Sequence, residues 1–374
     1  MSVVQQAERV ARSEEILHIA IEPLESRDMK PLTDPAQLGF GKIFTDRMFT
    51  MKHKKGAGWV DAKIEKYRNF SFDPATCVFH YAQEVFEGLK AYLSEDGRIL
   101  LFRPEQNARR MIRSAERMCM PPVPEEVFLK AVEKLVLLEK RWIPRVPGTS
   151  LYIRPTLIAT EGALGVHPSA ETLFYIILSP SGAYFKGGFQ PVSLLVEDTY
   201  VRAVAGGTGE AKTGGNYAAS LLAGEKAQEK GFSQVLWLDG REKKYVEEVG
   251  SMNIFFCFGK KLVTPALTGS ILPGITRASV IELARRLGYE VEERLISIDE
   301  VVAGAADGSL TEAFGTGTAA VISPVGSLHY KGKNYIVGGG QVGPITQELY
   351  DQLTAIQYGR AKDEFGWVRE IGRV

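Results

Sequence analysis

The segment that most constrains the fold is the glycine-rich stretch 202–218, RAVAGGTGEAKTGGNYA, which holds the single lysine Lys212. Glycines on both sides of this lysine permit sharp turns and a close approach of the backbone to a bulky group. Asn216 is then expected to cap a helix that runs from Tyr217 to Gly231. The segment predicts a tight loop that presents one amine, and we hypothesise that Lys212 carries a covalently attached cofactor.

Two other interpretations of this segment stay open at this point. Residues 206–213, GGTGEAKT, nearly match the phosphate-binding loop G-x-x-x-x-G-K-[ST], but Ala211 stands where that motif has its last glycine. A nucleotide-binding module is therefore one alternative, and a flexible surface turn with a solvated lysine is the other.

Length and composition favour a soluble enzyme of about two domains. The chain has 374 residues, of which 45% are hydrophobic and 24% charged, as is ordinary for globular proteins. Its formal net charge is zero, so charge gives no indication of nucleic acid or an anionic membrane as a partner. No apolar run approaches the ~20 residues that a membrane-spanning helix needs.

The cysteines and the N-terminal segment indicate the cellular compartment, and the histidines indicate whether a metal site is expected. Cys77, Cys119 and Cys257 are far apart, which is typical of reduced cytosolic thiols. The histidines form no cluster with ligand spacing, so no metal site is expected. Residues 1–15 resemble neither a secretory signal nor an Arg/Ser-rich leader, and we expect a cytoplasmic protein.

The pattern along the chain predicts an α/β (α+β) protein with two domains. We expect an N-terminal arm at 1–37, a small domain at 38–179, a Gly/Pro-rich linker at 180–191 and a large domain at 192–374. In the small domain, alternation predicts strands at 59–65, 86–92, 99–102, 150–160 and 172–179, and helices are expected at 104–118 and 124–141.

Two neighbouring glutamates lie inside an apolar strand predicted at 244–258. Consecutive strand residues face opposite ways, so one of Glu247 and Glu248 should point inward. A buried carboxylate is costly unless it meets a cation. An edge strand with both glutamates in water is the alternative.

Several groups could bind an anion. Gly274, Ile275 and Thr276 begin a predicted helix, whose free N–H groups and dipole suit a phosphate, although Thr276 could simply cap the helix. The turn 315–320, GTGTAA, also presents backbone N–H groups. One of the arginines of helix 104–118 could also bind an anion; the alternative is that Arg109, Arg110, Arg113 and Arg117 form a solvated basic face.

Together these groups would suit an aldehyde-bearing, phosphorylated pyridine. A lysine amine forms a Schiff base with an aldehyde. A carboxylate beside the ring nitrogen keeps it protonated, so that the ring can accept electrons. A phenol such as Tyr217 can bind the ring oxygen, while backbone amides and an arginine take the phosphate.

The sequence resembles the branched-chain amino-acid aminotransferases, which are pyridoxal-phosphate enzymes of fold type IV. The resemblance runs from about Leu38 to the C-terminus, in the family's order. It is carried by FGKIFTDRM (40–48), HYAQEVFEGLKAY (80–92), LFRPEQNARRM (101–111), LYIRP (151–155), GAYF (182–185), GGTGEAKTGGNYA (206–218), QVLWLDG (234–240), EVGSMNIF (248–255), LPGITR (272–277) and FGTGTAA (314–320). It implies a small N-terminal α/β domain, a larger C-terminal domain with a pseudo-barrel sheet, and a homodimer.

The resemblance also implies roles for individual residues. Lys212 would be the Schiff-base lysine and proton carrier, Glu248 the partner of the ring nitrogen with Glu247 facing outward, and Tyr217 the partner of the ring oxygen. The phosphate would be held by Arg110, Ile275, Thr276 and Thr318, and the substrate carboxylate by Tyr81, Thr318 and Ala319. The side-chain pocket would be lined by Phe40, Phe86, Tyr152, Val166 and Tyr184, with Val166 from the partner subunit.

The implied reaction is transamination between leucine, isoleucine or valine and 2-oxoglutarate, with Arg154 binding the γ-carboxylate of glutamate. A D-amino-acid aminotransferase or an aminodeoxychorismate lyase is the nearer alternative. The animal relatives carry a redox Cys-x-x-Cys after the Thr-Ala turn. Ala320 and Ser323 stand at those positions here, so no thiol switch is expected.

Overall fold

The computed structural model describes residues 18–182 and 189–374, which contain both strands and helices. The strands of this part are β1 (Ala20–Ile21), β2 (Arg47–Lys54), β3 (Gly58–Lys66), β4 (Glu84–Phe86), β5 (Leu89–Leu93), β6 (Arg98–Phe102), β7 (Ser150–Ala159), β8 (Glu171–Ser181), β9 (Val192–Glu197), β10 (Gln234–Leu238), β11 (Val246–Val249), β12 (Met252–Phe258), β13 (Lys261–Pro265), β14 (Glu290–Arg294), β15 (Glu312–Gly317), β16 (Val321–Tyr330), β17 (Lys333–Ile336) and β18 (Val368–Arg373). Its helices are α1 (Cys77–Tyr81), α2 (Pro104–Arg117), α3 (Glu125–Leu138), α4 (Gly214–Ala218), α5 (Leu221–Glu229), α6 (Ile275–Arg286), α7 (Ile298–Asp307) and α8 (Pro344–Gln357).

The chain divides into two units. The first is Met1–Ala183 together with Tyr358–Val374, and the second is Tyr184–Gln357. The expectation that residues 192–374 form one domain is therefore wrong for the C-terminal segment. Its strand β18 pairs antiparallel with β6 and extends the sheet of the first unit. The predicted arm also differs, because β1 pairs with β3 at the other edge of that sheet.

The first unit is built on a sheet with the strand order β1-β3-β2-β8-β7-β5-β6-β18, and β4 pairs with β7 beside this path. Helices α2 and α3 cover an apolar face of the sheet. Met111 of α2 and Phe128 of α3 are fully buried, and the Phe128 ring stacks on Phe174 of β8 at 6.3 Å between centroids. Burial of these large side chains is the main stabilising term of the unit.

The strand expected at 86–92 is interrupted. Strand β4 ends at Phe86 and β5 begins at Leu89, with Glu87 and Gly88 between them. A Cβ on Gly88 would overlap the Tyr152 hydroxyl group, so the backbone passes too close to that ring for a larger residue. Glu87 is fully buried there.

The second unit contains a closed barrel. Strands β9, β10, β11, β12, β15 and β16 each pair with the next, and β16 pairs back onto β9. Strands β13 and β14 continue from β12, and β17 pairs with β16. Closure leaves no free sheet edge among these six strands, and it gives the barrel a fixed inner and outer face.

A buried polar cluster ties the N-terminal residues of the first unit to its sheet. Asp46, at the start of β2, accepts hydrogen bonds from the Lys30 backbone N–H at 2.8 Å, the Arg141 guanidinium at 2.6 Å and the Trp142 indole at 2.8 Å. Burial alone raises the pKa of the Asp46 carboxyl, but these donors together hold the pKa below its ordinary value. The carboxylate therefore stabilises the fold only while it is ionised.

We predict that Asp46→Asn lowers the free energy of unfolding of the protein by about 1.5–3 kcal/mol at neutral pH, because the donors from Lys30, Arg141 and Trp142 lose their charged acceptor. A carboxyl with a depressed folded pKa contributes stability above its ordinary pKa, near 3.8, and loses it as the pH falls through the lower folded value. The difference between wild type and variant should therefore shrink in acid. Urea unfolding across pH measures it, with the exposed Asp61→Asn as the matched control, and an equal loss in both variants would contradict the prediction.

Candidate active site

Lys212 lies in a loop that leads directly into the short helix α4. Thr213 is the N-cap of this helix, so Asn216 lies inside it, and the expectation that Asn216 caps a helix is wrong. The Asn216 amide instead donates to the carbonyls of Thr208 at 2.8 Å and Ala211 at 2.9 Å. Asn216 thereby stabilises the loop by side-chain hydrogen bonds. The helix predicted from Tyr217 to Gly231 is divided into two, because α4 ends at Ala218 and α5 begins at Leu221.

Gly209 explains why the loop needs a residue without a side chain. A Cβ at this position would overlap the carbonyl of Ser270. The Arg202 guanidinium donates to the same carbonyl at 2.9 Å and to that of Gly209 at 3.3 Å. The loop is therefore pressed against the segment around Ser270, and this contact fixes the position of Lys212.

The Lys212 amine lies beside a phenol. Its Nζ is 2.8 Å from the hydroxyl oxygen of Tyr217, one turn further along on α4. Both side chains are half-buried. An amine and a phenol in this contact can exchange or share a proton, which is the property expected of an acid–base pair.

Glu248 of β11 is 3% exposed and forms an ion pair with Arg202. Burial raises the pKa of the Glu248 carboxyl to about 7, against the opposing effect of the Arg202 charge. A carboxyl of this kind is poised to ionise fully when a second cation binds next to it.

Glu247, on the opposite face of β11, is also buried, and the Ser270 hydroxyl donates to its Oε1. Burial raises the pKa of Glu247 as well. The expectation that Glu247 simply faces outward is therefore corrected, because the residues around Ser270 cover it. The alternative in which both glutamates lie in water is wrong for the same reason.

The two predicted anion-binding elements both lie in the second unit. Gly274 is the N-cap of α6, so Ile275 and Thr276 occupy its first turn, where amide N–H groups lack helical acceptors. Thr276 is not the cap. Thr318 and Ala319 lie in the tight turn between β15 and β16 and are half-buried.

The second unit fits an aldehyde-bearing pyridine phosphate. It supplies an amine, a phenol, a buried carboxylate with a cation, and a helix N-terminus. Four buried polar atoms of its described residues have no hydrogen-bond partner among those residues: Arg202 Nε, Thr213 Oγ1, Thr316 Oγ1 and, at the end of the unit, Gln357 Oε1. A small cavity reaches both the phenol and the carboxylate, and is lined by Arg202, Asn216, Tyr217, Ser220, Glu248, Gly250, Ser251 and Leu272.

The first unit brings together four of the predicted substrate residues. The rings of Phe40 and Tyr152 meet edge to face at 4.8 Å. The Arg154 guanidinium donates to the Tyr152 hydroxyl group at 3.2 Å and lies 4.8 Å from the centroid of Phe86. The result is an aromatic surface that carries one cation.

Arg110 differs from the other arginines of α2. It is buried, whereas Arg109, Arg113 and Arg117 are exposed as a solvated face would be. Its Nε and Nη2 donate to the two carboxylate oxygens of Glu87 at 2.7 and 2.8 Å. Sequence reasoning missed Glu87, although a carboxylate inside the apolar run VFEGLKAY was a usable signal.

Tyr81 and Val166 belong to a different surface of the first unit. The Tyr81 hydroxyl donates to the carbonyl of Leu164, two residues before Val166. Val166 is 87% exposed. Tyr184 lies outside the described residues. Sequence reasoning also missed Arg202, because nothing in the pattern of its loop indicates which carboxylate it reaches.

Two classes of site are not found in the described part of the chain. Within residues 18–182 and 189–374 there is no group of three or more His, Cys, Asp or Glu residues that could hold a metal ion. Over the same ranges, none of the helices has the length and apolar content needed to cross a bilayer.

The raised pKa of Glu248 predicts how the stability of the cofactor-free protein depends on pH. A carboxyl whose pKa is raised by folding stabilises the fold below its ordinary pKa, near 4.5, and stability falls as the pH rises towards about 7. The fall is ~3 kcal/mol at most. Urea unfolding of wild type and Glu248→Gln measures this fall: the stability of the wild type relative to the variant should decline between pH 4.5 and about 7. Glu225→Gln, on the exposed side of α5, is the control, and a pH-independent difference for Glu248→Gln would refute the assignment.

Comparisons with known proteins identify the family. A family model described as Amino-transferase class IV matches residues 84–328. The chain is 58% identical over 343 residues to branched-chain-amino-acid transaminase 1 of Bacillus subtilis (strain 168), covering 91% of this chain and 96% of the relative. It is 53% identical over 354 residues to a probable branched-chain-amino-acid aminotransferase of Staphylococcus epidermidis, covering 94% of this chain and 98% of the relative.

Solved structures agree with these relatives. The branched-chain amino acid aminotransferase of Escherichia coli is 28% identical with a TM-score of 0.73, over 87% of this chain and 99% of that one. The T.th. branched-chain amino acid aminotransferase complexed with N-(5'-phosphopyridoxyl)-L-glutamate is 27% identical with a TM-score of 0.70, over 87% of this chain and 98% of that one. The chain therefore belongs to the class IV aminotransferase family, within its branched-chain amino-acid aminotransferases of fold type IV.

Proposed function

We propose that the chain transfers the amino group between branched-chain L-amino acids (leucine, isoleucine and valine) and 2-oxoglutarate, with pyridoxal 5'-phosphate as cofactor. When bound, pyridoxal phosphate supplies a reactive aldehyde carbon and a ring that accepts electrons from the substrate. The observation that carries the proposal is the grouping of Lys212, Tyr217 and Glu248 in one unit, with the amine 2.8 Å from the phenol. Family membership sets aside a nucleotide-binding module built on residues 206–213.

Lys212 would bind the cofactor covalently and carry the proton. Its Nζ takes a proton from the substrate α-carbon and later delivers one, so the same atom serves as base and then as acid. The Tyr217 hydroxyl beside it binds the ring oxygen and orients the amine. The half-buried position of both groups limits competition from water.

Glu248 would hold a proton on the ring nitrogen. Its carboxylate is buried and faces one cation, Arg202, which offsets part of the cost of burying the charge. A ring nitrogen held beside Glu248 would take the proton of the carboxyl, whose pKa is about 7, and the resulting cation and carboxylate would stabilise each other.

The remaining groups would bind anions and the substrate side chain. Phosphate would be held by the amides of Ile275 and Thr276, by Thr318 and by Arg110, and the substrate carboxylate by Tyr81, Thr318 and Ala319. Phe40, Phe86, Tyr152 and Tyr184 would form the apolar pocket together with the Val166 of a second copy of the chain. Arg154 would bind the γ-carboxylate of glutamate, because a guanidinium held over aromatic rings can meet a carboxylate or lie flat beside an alkyl chain.

We also propose that the protein is a homodimer. Phe79, Leu164 and Val166 are 61%, 66% and 87% exposed, and hydrogen bonds from Tyr81 to Leu164 and from Ala163 to Ala75 join the two segments that carry them. The loop that carries two of them is held in place, because Glu161 accepts from the Ala170 amide at 2.6 Å and the Ala163 amide donates to Ala75 at 3.0 Å. A fixed apolar surface of this kind suits a second copy of the chain.

A cytoplasmic location is the remaining part of the proposal. All three cysteines are free thiols, two of them buried. Unpaired cysteines are typical of a reducing compartment. Neither Ala320 nor Ser323 can form a disulfide, so activity should not depend on a thiol pair after the Thr-Ala turn.

We predict that Lys212→Ala loses the visible absorbance of the bound cofactor and lowers kcat with L-leucine by at least ~10³-fold, because one atom both binds the cofactor and moves the proton. Borohydride should fix the cofactor on Lys212 in the wild type and on no other lysine, as peptide mapping would show. Lys226→Ala, on the exposed side of α5, is the matched control and should behave as wild type.

The same assay distinguishes the related activities. Wild type should turn over L-leucine with 2-oxoglutarate much faster than D-alanine, since the pocket residues are apolar and the family relatives are branched-chain enzymes. A preference for D-alanine would favour a D-amino-acid aminotransferase, and a colourless protein that binds ATP would overturn the proposal.

We predict that Val166→Asp weakens dimer association by about 100-fold or more, because it places an unpaired charge in an apolar interface. Sedimentation velocity over a range of protein concentrations measures the change. Val146→Asp, at a half-exposed valine elsewhere in the first unit, is the control and should leave association unchanged. A wild type that is monomeric at all concentrations would show the interface proposal to be wrong.

A further inference from the structure

Three polar side chains lie in a row across neighbouring barrel strands. Glu248 of β11 is paired directly with Asn253 of β12, and Asn253 is paired directly with Thr316 of β15. Directly paired residues of antiparallel strands carry their side chains on the same face. The three are 3%, 5% and 1% exposed, so the whole row is buried. Buried polar rows of this kind require an explanation, because each member must be hydrogen-bonded.

Asn253, in the middle of the row, joins two parts of the site. Its amide nitrogen donates to Glu248 Oε1 at 3.2 Å and to the Leu272 carbonyl at 3.0 Å. Leu272 immediately precedes the turn into α6. A Cβ on Gly274, the N-cap of α6, would overlap Asn253 Oδ1, so the backbone of this turn lies directly against the amide. One side chain thus contacts both the carboxylate and the entry to the helix N-terminus.

The chemistry of an amide suits this position. Its two N–H groups satisfy two buried acceptors at once, and it adds no charge beside Glu248. Arg202 meets the other carboxylate oxygen, so each oxygen of Glu248 has a donor, and the two contacts together favour the observed orientation of the carboxylate. The neighbouring Thr316 hydroxyl is buried and has no hydrogen-bond partner among the described residues, so this face of the barrel still has an open hydrogen-bonding group.

We propose that Asn253 is a positioning residue, which holds the Glu248 carboxylate ionised and at a fixed distance from the first turn of α6. The proposal rests on the proposed assignment of Glu248 to the ring nitrogen and of Ile275 and Thr276 to the phosphate. Those two ends of the cofactor are a fixed distance apart, so the protein groups that meet them must be fixed relative to each other. A hydrogen bond to the charged form of a carboxyl also favours that form.

Two substitutions separate this role from simple packing. Asn253→Ala removes the side chain, whereas Asn253→Asp keeps its shape but replaces the N–H donors with oxygens. Loss of a hydrogen bond to a charged group should weaken pyridoxal phosphate binding by about 10- to 100-fold in either variant at neutral pH. Asn334→Ala, an exposed asparagine that contacts His329 on β16, is the matched control and should bind as wild type.

The pH dependence of Asn253→Asp gives a sharper result. Protonation of the new carboxyl restores a donor towards Glu248 and removes the repulsion between two carboxylates. Its affinity for pyridoxal phosphate should therefore recover as the pH falls, relative to wild type, while that of Asn253→Ala should not. Equilibrium dialysis of the apoprotein measures the affinity, and the pH titration of the visible band of the holoenzyme is a second readout. In kinetics, kcat for leucine should fall more than KM changes.

The outcomes distinguish this proposal from the site assignment. If Asn253→Asp binds the cofactor as tightly as wild type at every pH, Asn253 only fills space and the proposal is overturned. If Asn253→Ala does not fold, the isosteric Asn253→Asp decides alone. If Glu248→Gln and Lys212→Ala also keep wild-type affinity, the assignment of the site is wrong, and this failure is separate from the first.

Discussion

The buried charge of Glu248 is the interaction on which the second unit depends. Burial raises the pKa of the Glu248 carboxyl and the positive charge of Arg202 lowers it. The effect of burial is the larger, so the pKa lies at about 7. A carboxyl at this balance is partly ionised near neutral pH, and a second cation placed beside it would ionise it fully. In the Arg202–Glu248 pair each charge is partly compensated by the other, which lowers the cost of keeping both in the barrel.

The segment around Ser270 connects this carboxylate to the lysine loop. Its backbone carbonyl accepts from Arg202 and lies against Gly209, while its hydroxyl binds Glu247. The loop that carries Lys212, the Arg202–Glu248 ion pair and strand β11 are thus all in contact with the segment around Ser270. A side chain at position 209 would overlap the Ser270 carbonyl, so it would displace the loop that carries Lys212.

Local patterns predicted the parts of the structure that short-range physics determines. Pro104 begins α2, the turn at 94–97 joins β5 to β6, and one glutamate of the pair at 247–248 points to a buried cation, as strand alternation and burial costs require. The rest depends on contacts between distant residues. Tertiary packing determines the pairing of β18 with β6, the ion pair between Glu87 and Arg110, and the burial of Glu247. The local periodicity of a sequence does not indicate which distant element will contact a given residue.

The two buried guanidinium–carboxylate pairs follow the same physical rule in separate units. Arg202 and Glu248 in the second unit, like Arg110 and Glu87 in the first, bury a cation together with an anion, because either charge alone would cost several kcal/mol. A paired arginine keeps its orientation before any ligand arrives, but part of its charge is already balanced. An anion that met Arg110 would therefore find a guanidinium that is fixed in geometry but already paired with Glu87. In the second unit, the start of α6 offers uncharged backbone N–H groups instead, and the Asn253 amide lies directly against Gly274 there.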